Sequence, residues 1–167
     1  YNCYMQDITN ETVDELMIYG FHTCRFISKS KIRNLTVPLS YFIGFAFSSD
    51  LSQCEVYNLI IANAEAFRYC NTLTECKVNL LKTNANNEDV IGFIQCSRLS
   101  SCLATALTSE NGFAIGFKTC FYISSSESVI MNAIIATGFE ECGNISACRS
   151  WQIYSTTGDA KGFAQCN

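Results

Sequence analysis

Charge is scarce in this chain. Asp, Glu, Lys and Arg make up 16% of its 167 residues, against about 25% in an ordinary soluble domain. Its surface is therefore expected to be rich in Ser, Thr and Asn. The net charge is −4, with 11 Lys and Arg against 15 Asp and Glu. No basic patch is present, which excludes nucleic acid as a partner. Long apolar runs are also missing. The longest, near 37–47 and 129–139, are too short and too interrupted for a membrane span. There is one histidine, His22, and no C-x-x-C pair. The C-x5-C spacing lies outside the usual zinc pattern, so no metal is expected. P-loop, dinucleotide-binding and G-x-S-x-G signatures are absent. Apolar residues do not recur at helical spacing, which excludes a helical array.

What is abundant is periodic. Phe21, Phe45, Phe67, Phe93, Phe117, Phe139 and Phe163 follow one another at steps of 24, 22, 26, 24, 22 and 24 residues. A glycine precedes each except Phe67, which follows Ala66. Three residues after each Phe stands a cysteine, or Ser48 in one case; six residues further stands another cysteine, or Ser30 or Ser126. Between them, the third residue is always Ile or Leu and the fourth always Ser or Thr. The unit G-F-x-x-C-x-x-[IL]-[ST]-x-C marks a repeat architecture that occupies nearly the whole chain. The blocks 20–71 and 116–167 also echo each other: both begin G-F-x-T-C-x-x-I-S-x-S and end F-x-x-C-N. This suggests duplication of a larger unit. The cysteine element is similar to the signature of PAN/apple modules, whose further cysteine is absent here, and nothing is carried over from that family.

Eleven cysteines point to an oxidising compartment, and the sequons at Asn10, Asn34 and Asn144 point to N-linked glycans. The chain carries no signal peptide and opens Tyr1-Asn2-Cys3, as expected of a processed, secreted protein. Joining the second cysteine of one unit to the first of the next gives Cys3–Cys24, Cys54–Cys70, Cys76–Cys96, Cys102–Cys120 and Cys148–Cys166. It also removes Ser30 and Ser48 together and leaves only Cys142, as a free or intermolecular thiol. Joining cysteines within each C-x5-C orphans more of them, so the first scheme is preferred.

Each such bridge closes two arms rich in aliphatic, aromatic and β-branched residues around a polar centre, as in 102–120. This reads as a disulfide-stapled antiparallel β-hairpin. The expected fold is all-β, a single repeat domain of seven hairpins at about 3–24, 30–48, 54–70, 76–96, 102–120, 126–142 and 148–166, stacked as a continuous antiparallel solenoid-like or sandwich-like array rather than as a parallel β-helix. Strand alternation assigns Leu103, Leu107, Phe113, Ile115 and Phe117 to one face and Ala104, Ala106, Ala114 and Gly116 to the other. It sets Trp151 opposite Phe163, makes the repeated Phe a core anchor, and leaves the repeated Ser or Thr to bond local backbone.

No catalytic, cofactor or metal residue is assigned. His22 would need Cys24 as a free thiol, and that thiol is bridged in this scheme. The acid pairs Glu140-Glu141 and Glu88-Asp89 read as solvated turns, and the Asn-rich segment 84–89 lacks EF-hand spacing. The sequence predicts a secreted structural protein that polymerises with itself into an extracellular fibre, coat or matrix. The alternative is a carbohydrate-binding or adhesion module with Tyr122, Trp151 and Tyr154 stacking on sugars.

Overall fold

A computed structural model describes residues 4–9, 17–83 and 88–167. Among these, every regular element is a strand: β1 Tyr4–Thr9, β2 Met17–His22, β3 Lys31–Ala46, β4 Ser49–Ser52, β5 Glu55–Arg68, β6 Asn71–Thr74, β7 Lys77–Thr83, β8 Val90–Ile94, β9 Ser97–Ser100, β10 Leu103–Ser109, β11 Phe113–Lys118, β12 Phe121–Ser124, β13 Glu127–Ala133, β14 Ile135–Glu140, β15 Gly143–Ser146, β16 Arg149–Ser155 and β17 Ala160–Ala164. All pairings among the described residues are parallel, so the expectation of antiparallel hairpins is corrected: the chain is a parallel β-solenoid, the arrangement the sequence argued against. No helix among the described residues is long and apolar enough to cross a membrane.

Each coil has three faces. Face A comprises β1, the first half of β3, the first half of β5, then β7, β10, β13 and β16; face B comprises β2, the second halves of β3 and β5, then β8, β11, β14 and β17. The long strands β3 and β5 run through both faces and make them one sheet. Face C is the five-stranded sheet β4, β6, β9, β12 and β15, preceded by isolated bridges from Arg25 and Ser28.

The repeat period is the register. Leu103 pairs with Lys77 on one side and Glu127 on the other, and Phe117 with Phe93 and Phe139. Identical positions of successive coils therefore lie over one another. The seven repeat phenylalanines form one stack, with centroids 4.6–4.9 Å apart and interplanar angles of 4–12°. Beside it run the aliphatic column Ile27, Leu51, Leu73, Leu99, Ile123, Ile145 and the cysteine columns. Core burial and in-register pairing thus explain the invariant residues without any hairpin.

Two expectations from alternation are corrected. Leu107 and Phe117 are core, but Leu103 is only half-buried and Phe113 is exposed, whereas Ala104 and Ala114 of the opposite set are also core. In β10 the cause is backbone shape. Twenty-five non-glycine residues have left-handed φ of 49–57°, while no described glycine has positive φ. They recur four to a coil, for example Gln95, Arg98, Ser101 and Ala106. A single left-handed residue at 106 turns the strand and breaks the period of two. The bend costs no sheet bond, because the left-handed Gln95 and Ser101 amides still donate to the next coil, at Lys118 O (3.0 Å) and Ser124 O (3.1 Å).

Left-handed backbone disfavours side chains other than Gly, Asn and Asp by about 1–2 kcal/mol. On face A this position is held by Asn34 and Asn58, with Asn58 Nδ2 donating to Asn34 Oδ1 at 2.8 Å. The next residue in that column is Leu80, 52% exposed. Leu80→Asn relieves the strain and extends the amide row, and is expected to stabilise the fold by about 1 kcal/mol. A denaturant midpoint that fails to rise would show that no strain is held there.

Candidate assembly surface

The cysteines form two columns at the corners of face C. Cys24, Ser48, Cys70, Cys96, Cys120, Cys142 and Cys166 make the first; Ser30, Cys54, Cys76, Cys102, Ser126 and Cys148 make the second. First-column thiols from Cys70 onward donate to the carbonyl of the preceding coil's phenylalanine, as in Cys70 Sγ to Phe45 O (3.3 Å) and Cys166 Sγ to Phe139 O (3.4 Å). Second-column thiols donate to the preceding aliphatic residue, as in Cys76 Sγ to Leu51 O (3.6 Å). Serine substitutes locally: Ser48 Oγ donates to Ala46 O and accepts from Cys24 N.

All ten described cysteines are thiols. The expected pairs Cys54–Cys70, Cys76–Cys96, Cys102–Cys120 and Cys148–Cys166 are not joined, because each pair is split between the two columns. Cys3, the expected mate of Cys24, lies outside the described residues, as do Asn10 and 84–87. Cys142 is buried in mid-column between Cys120 and Cys166, which removes it as a contact for a second chain. Hydrogen bonding with a neighbouring sulfur of the column (Cys76, Cys102 and Cys120 respectively), then burial, holds the Cys54, Cys76 and Cys142 thiols well above their ordinary range. They are protonated at neutral pH and pack as small apolar groups.

The other singled-out residues are dispersed. His22 is exposed in a surface row, 5.0 Å from the Tyr19 ring and 5.4 Å from Phe47, which stacks on Tyr69 at 4.9 Å. Arg68 covers Tyr69 at 5.1 Å. The stacked members of this row present edges rather than free faces to a ligand. Glu140 pairs with Lys118 at 3.2 Å, while Glu141 accepts from Thr119 Oγ1. Glu88 accepts from Asn63 Nδ2, and Asp89 from Phe113 N at 3.0 Å; burial pushes the Asp89 carboxyl up. Among the described residues, no group of three or more His, Cys, Asp or Glu side chains is placed to hold a metal. Tyr122 lies on face C and Trp151 and Tyr154 on face A, so the three do not converge. The repeated Ser or Thr stands on the outer side of face C, where Ser124 Oγ reaches Leu99 O at 3.4 Å.

What the structure does concentrate is uncovered core at the two ends of the stack. Phe139 is fully buried, but Phe163 is 47% exposed, and Ile145, Ile153, Cys148 and Cys166 are half-buried. Strands β16 and β17 bond on one side only. Two depressions open on this end, one lined by Arg149, Ser150, Trp151 and Phe163, the other by Ile145, Phe163, Cys166 and Asn167. At the opposite end, among the described residues, β1 and β2 pair only with β3, and Phe21, Ile18, Ile27 and Cys24 are half-buried. The sequence signal for these open ends was the Phe period itself, read as a register. No known protein family, curated protein or solved structure matches the chain.

Proposed function

We propose that this protein is a structural subunit of an extracellular fibre, coat or matrix, built by end-to-end stacking of its solenoid. The half-exposed ring of Phe163 carries the reading, because it is a core position on which no described coil packs. Repeat arrays that stay single need polar terminal caps, and a heterologous contact between unlike ends propagates without limit. Laying the first coil of a second copy on the last coil continues the phenylalanine column, the first cysteine column and faces A and B: Phe163 meets Phe21, Cys166 meets Cys24, and β16 and β17 meet β1 and β2. Face C keeps a notch over Ile145.

The lateral surface suits this use. Lys31–Glu55 (2.8 Å) and Glu127–Arg149 (3.9 Å) neutralise charge along face A. Asn34 is exposed on face A and Asn144 on face C, on its edge strand β15; both side chains stand on the lateral surface, so glycans there would lie beside the axial contact and hinder side-by-side packing. The cysteine count and sequons support the extracellular setting.

Electron microscopy and sedimentation of concentrated protein under reducing conditions test the reading. Unbranched filaments are expected, with a rise of about 33 Å per subunit for seven layers spaced by about 4.7 Å. Enzymatic deglycosylation should leave their length unchanged. A strict monomer at high concentration overturns the proposal and turns attention to glycan binding.

A further inference from the structure

We infer that the junction between stacked copies is a disulfide site, with Cys166 of one subunit joining Cys24 of the next. This rests on the stacking proposed above and adds its covalent regulation. The argument begins with the order of residues in the first column. Cys70, Cys96, Cys120, Cys142 and Cys166 are five consecutive thiols, and Ser48 separates them from Cys24. Pairing along the column joins Cys70 to Cys96 and Cys120 to Cys142. Cys166 is then left over, and Cys24 has only a serine beside it. Among the described residues of this column, the two thiols left without a neighbouring thiol to pair with are those at its two ends.

Exposure and bonding agree with this. Cys24 and Cys166 are half-buried, whereas Cys70, Cys96, Cys120 and Cys142 are buried. Cys24 Sγ donates to His22 O in its own coil at 3.3 Å. The preceding-coil phenylalanine carbonyl, which Cys70 and every later thiol of the column use, would be supplied by Phe163 of the copy below. In-register residues of parallel strands stand within the Cα separation of about 4.4–6.8 Å that a disulfide spans.

The oxidant is a peroxide. Cys166 sulfur attacks one peroxide oxygen; the O–O bond breaks, and the thiol proton leaves with the departing oxygen as water. Cys24 sulfur then attacks the sulfenic sulfur of Cys166. The S–S bond forms, and the hydroxyl leaves with the second thiol proton as another water. Two thiols and one peroxide give one disulfide and two waters.

The test uses a Cys148→Ser background, which removes the other half-buried thiol of that end. Further Cys24→Ser, Cys166→Ser and Cys142→Ser substitutions are compared in it. Serine is tolerated here, since Ser48 already holds this column position. Filaments are first confirmed by microscopy under reductant, then treated with dilute hydrogen peroxide and resolved on non-reducing gels with peptide mapping. Covalent multimers and a Cys24–Cys166 peptide are expected in the background and in Cys142→Ser, falling at least tenfold in Cys24→Ser and Cys166→Ser while their filaments persist. Undiminished multimers in either of the last two, or a Cys142–Cys166 peptide instead, overturn the inference alone. Absence of filaments before oxidation overturns the stacking itself.

Discussion

Phe117→Ala is expected to cost about 3–5 kcal/mol of stability, the range for removing a buried phenylalanine from a core that cannot collapse. The ring is fully buried and stacked on both sides, 4.7 Å from Phe93 and 4.6 Å from Phe139. Its loss leaves a gap in mid-column and removes two ring pairs, each worth about 0.5–1.5 kcal/mol beyond area. Backbone pairing fixes the coil spacing, so neighbouring rings cannot close the gap. Phe163→Ala in the dissolved monomer removes one pair, at 4.9 Å, and a ring already 47% exposed. It should cost about 1–2 kcal/mol. Denaturant titration of both variants decides the matter. Equal losses would show that the stack contributes nothing beyond local burial.

The period, the core role of the phenylalanines and the all-β class were legible because identical residues at fixed intervals have to meet in any repeat fold. The strand direction was not. Seven-residue arms around a polar centre describe a hairpin, and equally the face A to face B corner of a solenoid coil. Residues 110–112 turn that corner between β10 and β11, closed by Ser109 Oγ donating to Glu88 O and accepting from Gly112 N. In β3 and β5 the corresponding centres are continuous strand. The cysteine pairing failed for a related reason. The joint absence of thiols at Ser30 and Ser48 looked like one lost bridge, but the two serines belong to different columns and each satisfies itself locally. The corners were invisible because their left-handed residues include Phe47, Tyr69, Gln95 and Ile130, none of which signals positive φ. The position of the open strand edges needed the register, which the Phe period carries only once the strands are known to be parallel.

The glycines offer the sharpest separation of fold from assembly. Gly20, Gly44, Gly92, Gly116 and Gly138 support close approach of the next coil, not backbone freedom. A Cβ on Gly138 would stand 2.6 Å from Gly162 O and 2.8 Å from Ser150 Cβ, and would also strike Ser150 Oγ. Ala66 shows that the solenoid accommodates one methyl at this position in one coil, so valine is the decisive change. Gly138→Val is expected to destabilise by about 3 kcal/mol through overpacking against backbone that cannot move freely. Gly162 stands at the open end, with nothing nearer its Cβ than Ser150 Cβ at 3.5 Å. Gly162→Val should therefore leave monomer stability within about 0.5 kcal/mol of the parent. In a stack that continues the register, the same side chain would strike the Gly20 carbonyl of the next copy, as Gly138 would strike Gly162 O. Gly162→Val is then expected to abolish filaments from a fully folded subunit. Filaments that survive it, beside an unchanged denaturation curve, would show that copies do not meet coil on coil at this end.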